Sequence, residues 1–153
     1  MKRLLIVAHT PSPNTQRLVA AILHGAQHPD IDTVAVVHKP ALEAGPDDIR
    51  ACDAIILFTT ENLGYMSGAL KDFFDRSYYP VLEEKQGLPC AIVIRAGHDG
   101  TGTRRALESI LTGLRWQMAQ QPLMLRGEWQ EEFVAQAQEM GMYVAAGLDA
   151  GVL

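Results

Sequence analysis

Five apolar runs, at residues 4–8, 33–37, 54–58, 91–94 and about 118–125, recur along the chain, and most are unbroken by polar residues. This feature constrains the fold more than any other. A strand with one wet face alternates apolar and polar residues, whereas a continuous run needs cover on both faces, as in a parallel sheet. The segments between the runs carry helical spacing. Leu18, Val19, Ile22 and Leu23 form one apolar stripe. Leu70, Phe73, Phe74 and Tyr78 form a second, and Leu107, Ile110, Leu111 and Leu114 a third. A last helix is expected from about 128 to 148, with Phe133, Val134, Ala137 and Val144 facing inward. The second crossover is short, because Pro46-Asp47-Asp48-Ile49-Arg50 supports only a turn or two of helix. Strand and helix thus alternate, which predicts an α/β fold of three layers, doubly wound around a five-stranded parallel sheet. At 153 residues the chain reads as a single domain over 1–153.

Charge and cysteine usage narrow the function classes. The net charge is −5 and no stretch is strongly basic, so neither nucleic acid nor a membrane surface is expected as partner, while the charge says little about a small-molecule substrate. Met1-Lys2-Arg3 and the apolar run after it are too brief for a signal peptide or a membrane span. Cys52 and Cys90 lie far apart and form no Cys-x-x-Cys pair. They read as reduced thiols in a cytoplasmic protein, with no metal site.

In an open parallel sheet, ligands bind outside the carboxyl ends of the strands, beside the point where strand order reverses. The turns after strands one, three and four are all unusual. The first, His9-Thr10-Pro11-Ser12-Pro13-Asn14-Thr15, sets hydroxyl and amide side chains at the start of a helix. The free N–H groups and dipole there favour an anion. It has neither the Walker A ending nor a Gly-x-Gly-x-x-Gly fingerprint. A second reading is an ordinary Pro-rich turn with Asn14 as N-cap.

The turn after strand three, Thr59-Thr60-Glu61-Asn62-Leu63-Gly64-Tyr65-Met66-Ser67-Gly68, is expected to be a long loop. Tyr65 and Met66 would lie against a flat ring there, or Tyr65 is simply a surface aromatic; Ser67 reads as the next helix's N-cap. The turn after strand four, Ala96-Gly97-His98-Asp99-Gly100-Thr101-Gly102-Thr103, suits a close-fitting loop. His98 and Asp99 have no further ligand-spaced His or carboxylate, so a metal centre or nucleophilic triad is poorly supported. Asp99 equally suits an Asx-turn. No side chain stands out as a catalytic acid, base or nucleophile.

Together these loops resemble one family. Thr10-Pro11-Ser12-Pro13-Asn14-Thr15 is similar to the Thr-x-Thr-Gly-Asn-Thr phosphate loop of flavodoxins. Residues 59–76, ending Tyr65-Met66-Ser67-Gly68-Ala69-Leu70-Lys71-Asp72-Phe73-Phe74-Asp75-Arg76, resemble the second flavin loop and following helix of the NAD(P)H-dependent FMN reductase and flavodoxin-like group. The resemblance covers nearly the whole chain and implies a flavodoxin-like fold with strand order 2-1-3-4-5. It implies FMN as cofactor, its phosphate held by Thr10, Ser12, Asn14 and Thr15. Thr60, Glu61, Asn62, Leu63, Gly64 and Tyr65 would run along the isoalloxazine ring, with main-chain groups near its N5 and O4 edge. Gly97, His98, Asp99, Gly100 and Gly102 would pack on the pyrimidine and ribityl side.

Two departures from the family pattern stand out. Pro13 replaces the usual Gly and removes one backbone N–H, and Thr60-Glu61 replaces the Pro-x-Tyr of many reductases. The activity implied is an FMN-containing oxidoreductase, taking hydride from NAD(P)H and reducing a quinone, a free flavin or a similar acceptor. Homodimers are common among such reductases. An electron-carrier flavodoxin and a flavin-free binding module on the same fold are the alternatives. The lack of a concentrated acidic run weighs against the carrier, which relies on charge steering.

Overall fold

A continuous apolar strand is stable only when helices cover both of its faces, and the chain meets that demand with five helices around one sheet. The computed structural model describes residues 1–153. Lys2–Ala8 forms β1, Pro13–Ala26 α1, Val34–Pro40 β2 and Pro46–Ala51 the short α2. Ala54–Asn62 forms β3, Tyr65–Met66 β4, Gly68–Val81 α3 and Pro89–Ala96 β5. Thr101–Leu114 forms α4, Gln117–Met118 β6, Leu123–Arg126 β7 and Glu132–Ala150 α5.

The sheet order is β2-β1-β3-β5, with β6 and β7 both on the outer edge of β5; all pairings are parallel except β4, which runs back along β3. With β6 and β7 taken as one interrupted strand, this is the expected 2-1-3-4-5 order of a flavodoxin-like fold. Alternate residues of each strand serve opposite layers. Leu5, Val7, Ile55, Leu57, Ile92 and Ile94 pack on α2, α3 and α4 through Ile49, Leu70, Phe73, Leu107 and Leu111. Leu4, Ile6, Ile56, Phe58 and Val93 pack on α1 and α5 through Leu18, Ile22, Phe133, Ala137 and Val144. Cys52 and Cys90 are free and buried, and burial pushes their thiols up to about 11 and about 12.

The elements depart from the expected ones most at three places. β3 does not stop at residue 58 but continues through Asn62. The fifth run is not one strand: β6 pairs with Pro89 and Cys90, β7 with Val93 to Ala96, and residues 119–122 lie between. Pro122, with no N–H to donate, closes that break. α5 starts at Glu132 rather than near 128, because Gly127 takes a positive φ of 82° and the chain turns. The Trp129 indole N–H then donates to Glu131 at 3.0 Å.

Candidate functional site

The three loops singled out in the sequence follow β1, β3 and β5, three neighbouring strands, so they gather at one end of the sheet. The chain leaves β1 for β2 on one side and β3 for β5 on the other, which makes the β1/β3 boundary the switch point.

At α1 the N-cap is Ser12, not Asn14. Ser12 has extended backbone (φ −139°), and its hydroxyl accepts the Thr15 N–H at 3.2 Å, while the Ser12 N–H donates to Thr15 Oγ1 at 3.0 Å. Thr15 Oγ1 donates to the Ser12 carbonyl at 2.9 Å, so this buried hydroxyl is committed to the capping box. Pro13 occupies the first helical position, where its fixed φ suits the helix and an N–H would have no helical partner. Asn14 falls one residue later, exposed, and its backbone N–H is the free donor of the first turn. Thr10 is half-buried at the mouth of the loop, and no acidic residue stands in the first turn to offset the dipole. Ser12→Ala therefore removes the cap itself. We expect a loss of about 1 kcal/mol, read as a fall in melting temperature of roughly 2–4 °C for a chain of this size. An unchanged melting temperature would show that the box contributes nothing.

The second turn is a hairpin rather than a long loop. Glu61 pairs with Met66 and Asn62 with Tyr65, leaving Leu63 and Gly64 as a turn with φ of 54° and 77°. Positive φ at both central residues matches the right-handed twist of paired strands. Gly64 adopts this without penalty, while Leu63 is strained by roughly 1–2 kcal/mol and points fully into solvent. Tyr65 is 40% exposed, but Met66 is 2% exposed and belongs to the core, so it is not a ring contact. Thr59 Oγ1 accepts the Ser67 N–H at 2.9 Å, and Ser67 caps α3 by accepting the Leu70 N–H at 3.1 Å, as expected. Thr60 Oγ1 donates to Asn62 Oδ1 at 2.9 Å on the other face of the strand.

The third turn is tied to the second. Glu61 Oε1 accepts the His98 N–H at 3.2 Å, and Oε2 accepts the Gly100 N–H at 2.8 Å. Gly102, in the first turn of α4, lies directly under the hairpin tip: a Cβ there would stand 2.3 Å from the Gly64 carbonyl oxygen. Asp99 makes the Asx-turn, accepting the Thr101 N–H at 3.0 Å, and that bond holds its carboxyl below the usual carboxylate range. Arg126 Nε donates to the Asp99 carbonyl at 2.6 Å, and His98 is exposed.

Sequence reasoning missed a cationic cluster at the same sheet end. Arg95 stands opposite Thr60 in the sheet register and donates to the carbonyls of Ala96 and Leu125 at 2.8 and 3.1 Å. Its guanidinium lies 5.0 Å from the Phe133 ring and 6.0 Å from Trp129, and burial lowers its pKa. Arg17 lies 5.4 Å from the Trp129 ring and pairs with Glu131 at 3.0 Å. The signal was an Arg breaking the apolar run of β5. A separate groove of about 610 Å³, bordered by Pro122, Leu123, Met140 and Tyr143, includes none of the three loops. No three His, Cys, Asp or Glu side chains are grouped as metal ligands, and no helix is long and apolar enough to cross a membrane.

Residues 1–131 match the NADPH-dependent FMN reductase family. A flavodoxin of Aquifex aeolicus (strain VF5) is 27% identical over 114 residues, covering 74% of this chain and 60% of that protein's length. Among solved structures, an archaeal flavodoxin superposes with a TM-score of 0.78 at 17% identity, over 95% of this chain and 98% of that one. A flavodoxin, WrbA-like protein of Agrobacterium tumefaciens superposes with a TM-score of 0.77 at 18% identity, over 99% of both chains. At such identities the superpositions speak for the fold.

Proposed function

We propose that this chain, which belongs to the NADPH-dependent FMN reductase family, binds FMN non-covalently across its three loops and transfers electrons from NAD(P)H to a small acceptor such as a quinone or a free flavin. The observation that carries the reading is the placing of the three loops at one end of the sheet, beside the switch point, with neutral donors gathered at the α1 N-terminus. The donor set fits a phosphate: Thr10 offers a hydroxyl, Asn14 offers its amide side chain and a free backbone N–H, and the Ser12 hydroxyl, 3.0 Å from Thr15 Oγ1 within the capping box, would turn its proton to the phosphate. Thr15 acts one step back, fixing Ser12 through the capping box. Pro13 leaves one donor fewer than a Gly would, so the side chains carry more of the phosphate's binding.

Residues Thr60 to Tyr65 would border the isoalloxazine ring, with the exposed Leu63–Gly64 turn as its nearest backbone, and Gly97 to Gly102 would close the pyrimidine and ribityl side. Holding the Leu63 backbone in a strained conformation is consistent with a site that must present main-chain groups rather than a side chain. FMN when bound supplies the hydride chemistry, so the chain need only place and shield it.

Similarity to the Aquifex flavodoxin favours a second reading, an electron carrier that works with a partner protein. Anaerobic NADH or NADPH separates the two. A reductase takes hydride directly, so the nucleotide bleaches the bound flavin and a quinone restores its absorbance as the quinol forms. We expect bleaching by at least one nucleotide and repeated turnover with quinone. Slow bleaching by both, without acceptor turnover, would favour the carrier.

A further inference from the structure

We propose that Glu61 is the positioning residue of the flavin slot, fixing the distance between its two ring-bordering loops and placing a negative charge that makes bound flavin harder to reduce. The inference rests on the FMN reading above but begins from contacts that need no ligand. Glu61 lies on the extended end of β3, and its two carboxylate oxygens each take one backbone N–H from the loop after β5: His98 at 3.2 Å and Gly100 at 2.8 Å. Hydrogen bonds to an ionised acceptor are roughly twice as strong as neutral ones. The side chain thus bridges segments 37 and 39 residues apart.

The contacts have two consequences. First, these two N–H groups already have an acceptor, so the loop meets the ring at a fixed distance instead of turning those donors to its pyrimidine oxygens. Second, no Lys, Arg or His pairs with Glu61, whereas carboxylates elsewhere on the chain do have cationic partners, such as Asp48 with Lys39 and Glu131 with Arg17. Its two oxygens meet backbone N–H groups, one of them on Gly100, the N-cap of α4; the Arg126 guanidinium, which reaches that loop from β7, is turned to the Asp99 carbonyl. Electrons added to a neighbouring ring bring negative charge, and a like charge close by disfavours that state.

The test uses the whole chain and three variants. Amide hydrogen exchange is measured without flavin, and the two-electron potential of bound FMN is measured by equilibration with a reference dye under dithionite. Glu61→Ala should speed exchange at His98 and Gly100 by about tenfold to a hundredfold, the loss of a hydrogen bond to a charged group, with the β5 core amides unchanged. Glu61→Gln removes the charge and leaves one acceptor oxygen. It should favour the reduced over the oxidised flavin by about tenfold, a rise of about 30 mV for a two-electron couple. Glu61→Asp keeps the charge but is one methylene shorter, so exchange should quicken while the potential stays near the parent's.

Unchanged exchange in Glu61→Ala would overturn the tether. Faster exchange with an unchanged potential in Glu61→Gln would overturn the charge effect and leave Glu61 a structural tie alone. If the parent chain binds no FMN, the functional reading and the charge effect both fall, whereas the exchange result tests the tether independently.

Discussion

Alanine at Gly102 will leave the chain folded and weaken FMN binding by roughly ten- to a hundredfold. The added Cβ would meet the Gly64 carbonyl oxygen at 2.3 Å, and that oxygen is backbone, so no side-chain rotation relieves the contact. Overpacking of this kind typically costs about 1–3 kcal/mol. Two features decide where the cost is felt. The residue sits in the first turn of α4, where Ala is intrinsically favoured over Gly by up to about 1 kcal/mol. The hairpin tip is exposed, so it can move aside without opening the core. The fold therefore loses little, and the melting temperature should stay within a few degrees of the parent's. The hairpin, however, leaves the position in which Glu61 reaches the loop after β5, and the slot proposed for the ring changes width. At about 1.4 kcal/mol per tenfold, the displaced strain appears as the stated loss of affinity. Gly68→Ala is the control, because a Cβ there meets nothing within 4 Å. If Gly102→Ala binds FMN as tightly as the parent, the hairpin does not border the ligand.

Much of the fold was legible because burial on both faces leaves a mark that strands cannot hide. The runs at 4–8, 54–58 and 91–94 contain almost no polar residue, and all three became central strands. The edge was harder to read. Beyond Cys90 and Met118 the outermost strand is broken, and Pro122 is the one local sign of it. The hairpin was hidden for a different reason. The extension of β3 is Thr59-Thr60-Glu61-Asn62, polar at a strand end, and Leu63 takes the turn position where Asn or Asp before Gly is the usual signal.

The candidate site divides in the same way. Its location followed from the three loops and the strand-end rule. Its internal bonding did not. Ser12 and Thr15 stand at capping-box spacing with Pro13 at the first helical position, so the true N-cap was readable, yet Asn14 drew attention as the stronger capping residue type. The Glu61 contacts left no trace to read, because both partners are backbone N–H groups and every non-proline residue has one. Likewise, nothing in the spacing of Arg17, Arg95 and Trp129 marks them as neighbours.

If these loops hold FMN by its phosphate as well as its ring, a paired titration of the apo-protein with FMN and riboflavin will separate the two contributions. Riboflavin has the same ring and ribityl chain but no phosphate. FMN should quench in fluorescence to one equivalent per chain. At a hundredfold excess over Kd it should add about 2.7 kcal/mol of stability, a rise of roughly 5–11 °C in melting temperature. Riboflavin should bind much more weakly. Ser12→Ala, which removes a donor to a charged group worth about 1.5–3 kcal/mol, should weaken FMN roughly ten- to a hundredfold and leave riboflavin nearly unaffected. Saturating FMN that changes neither fluorescence nor melting temperature, or a Ser12→Ala variant that loses both ligands equally, would contradict the assignment.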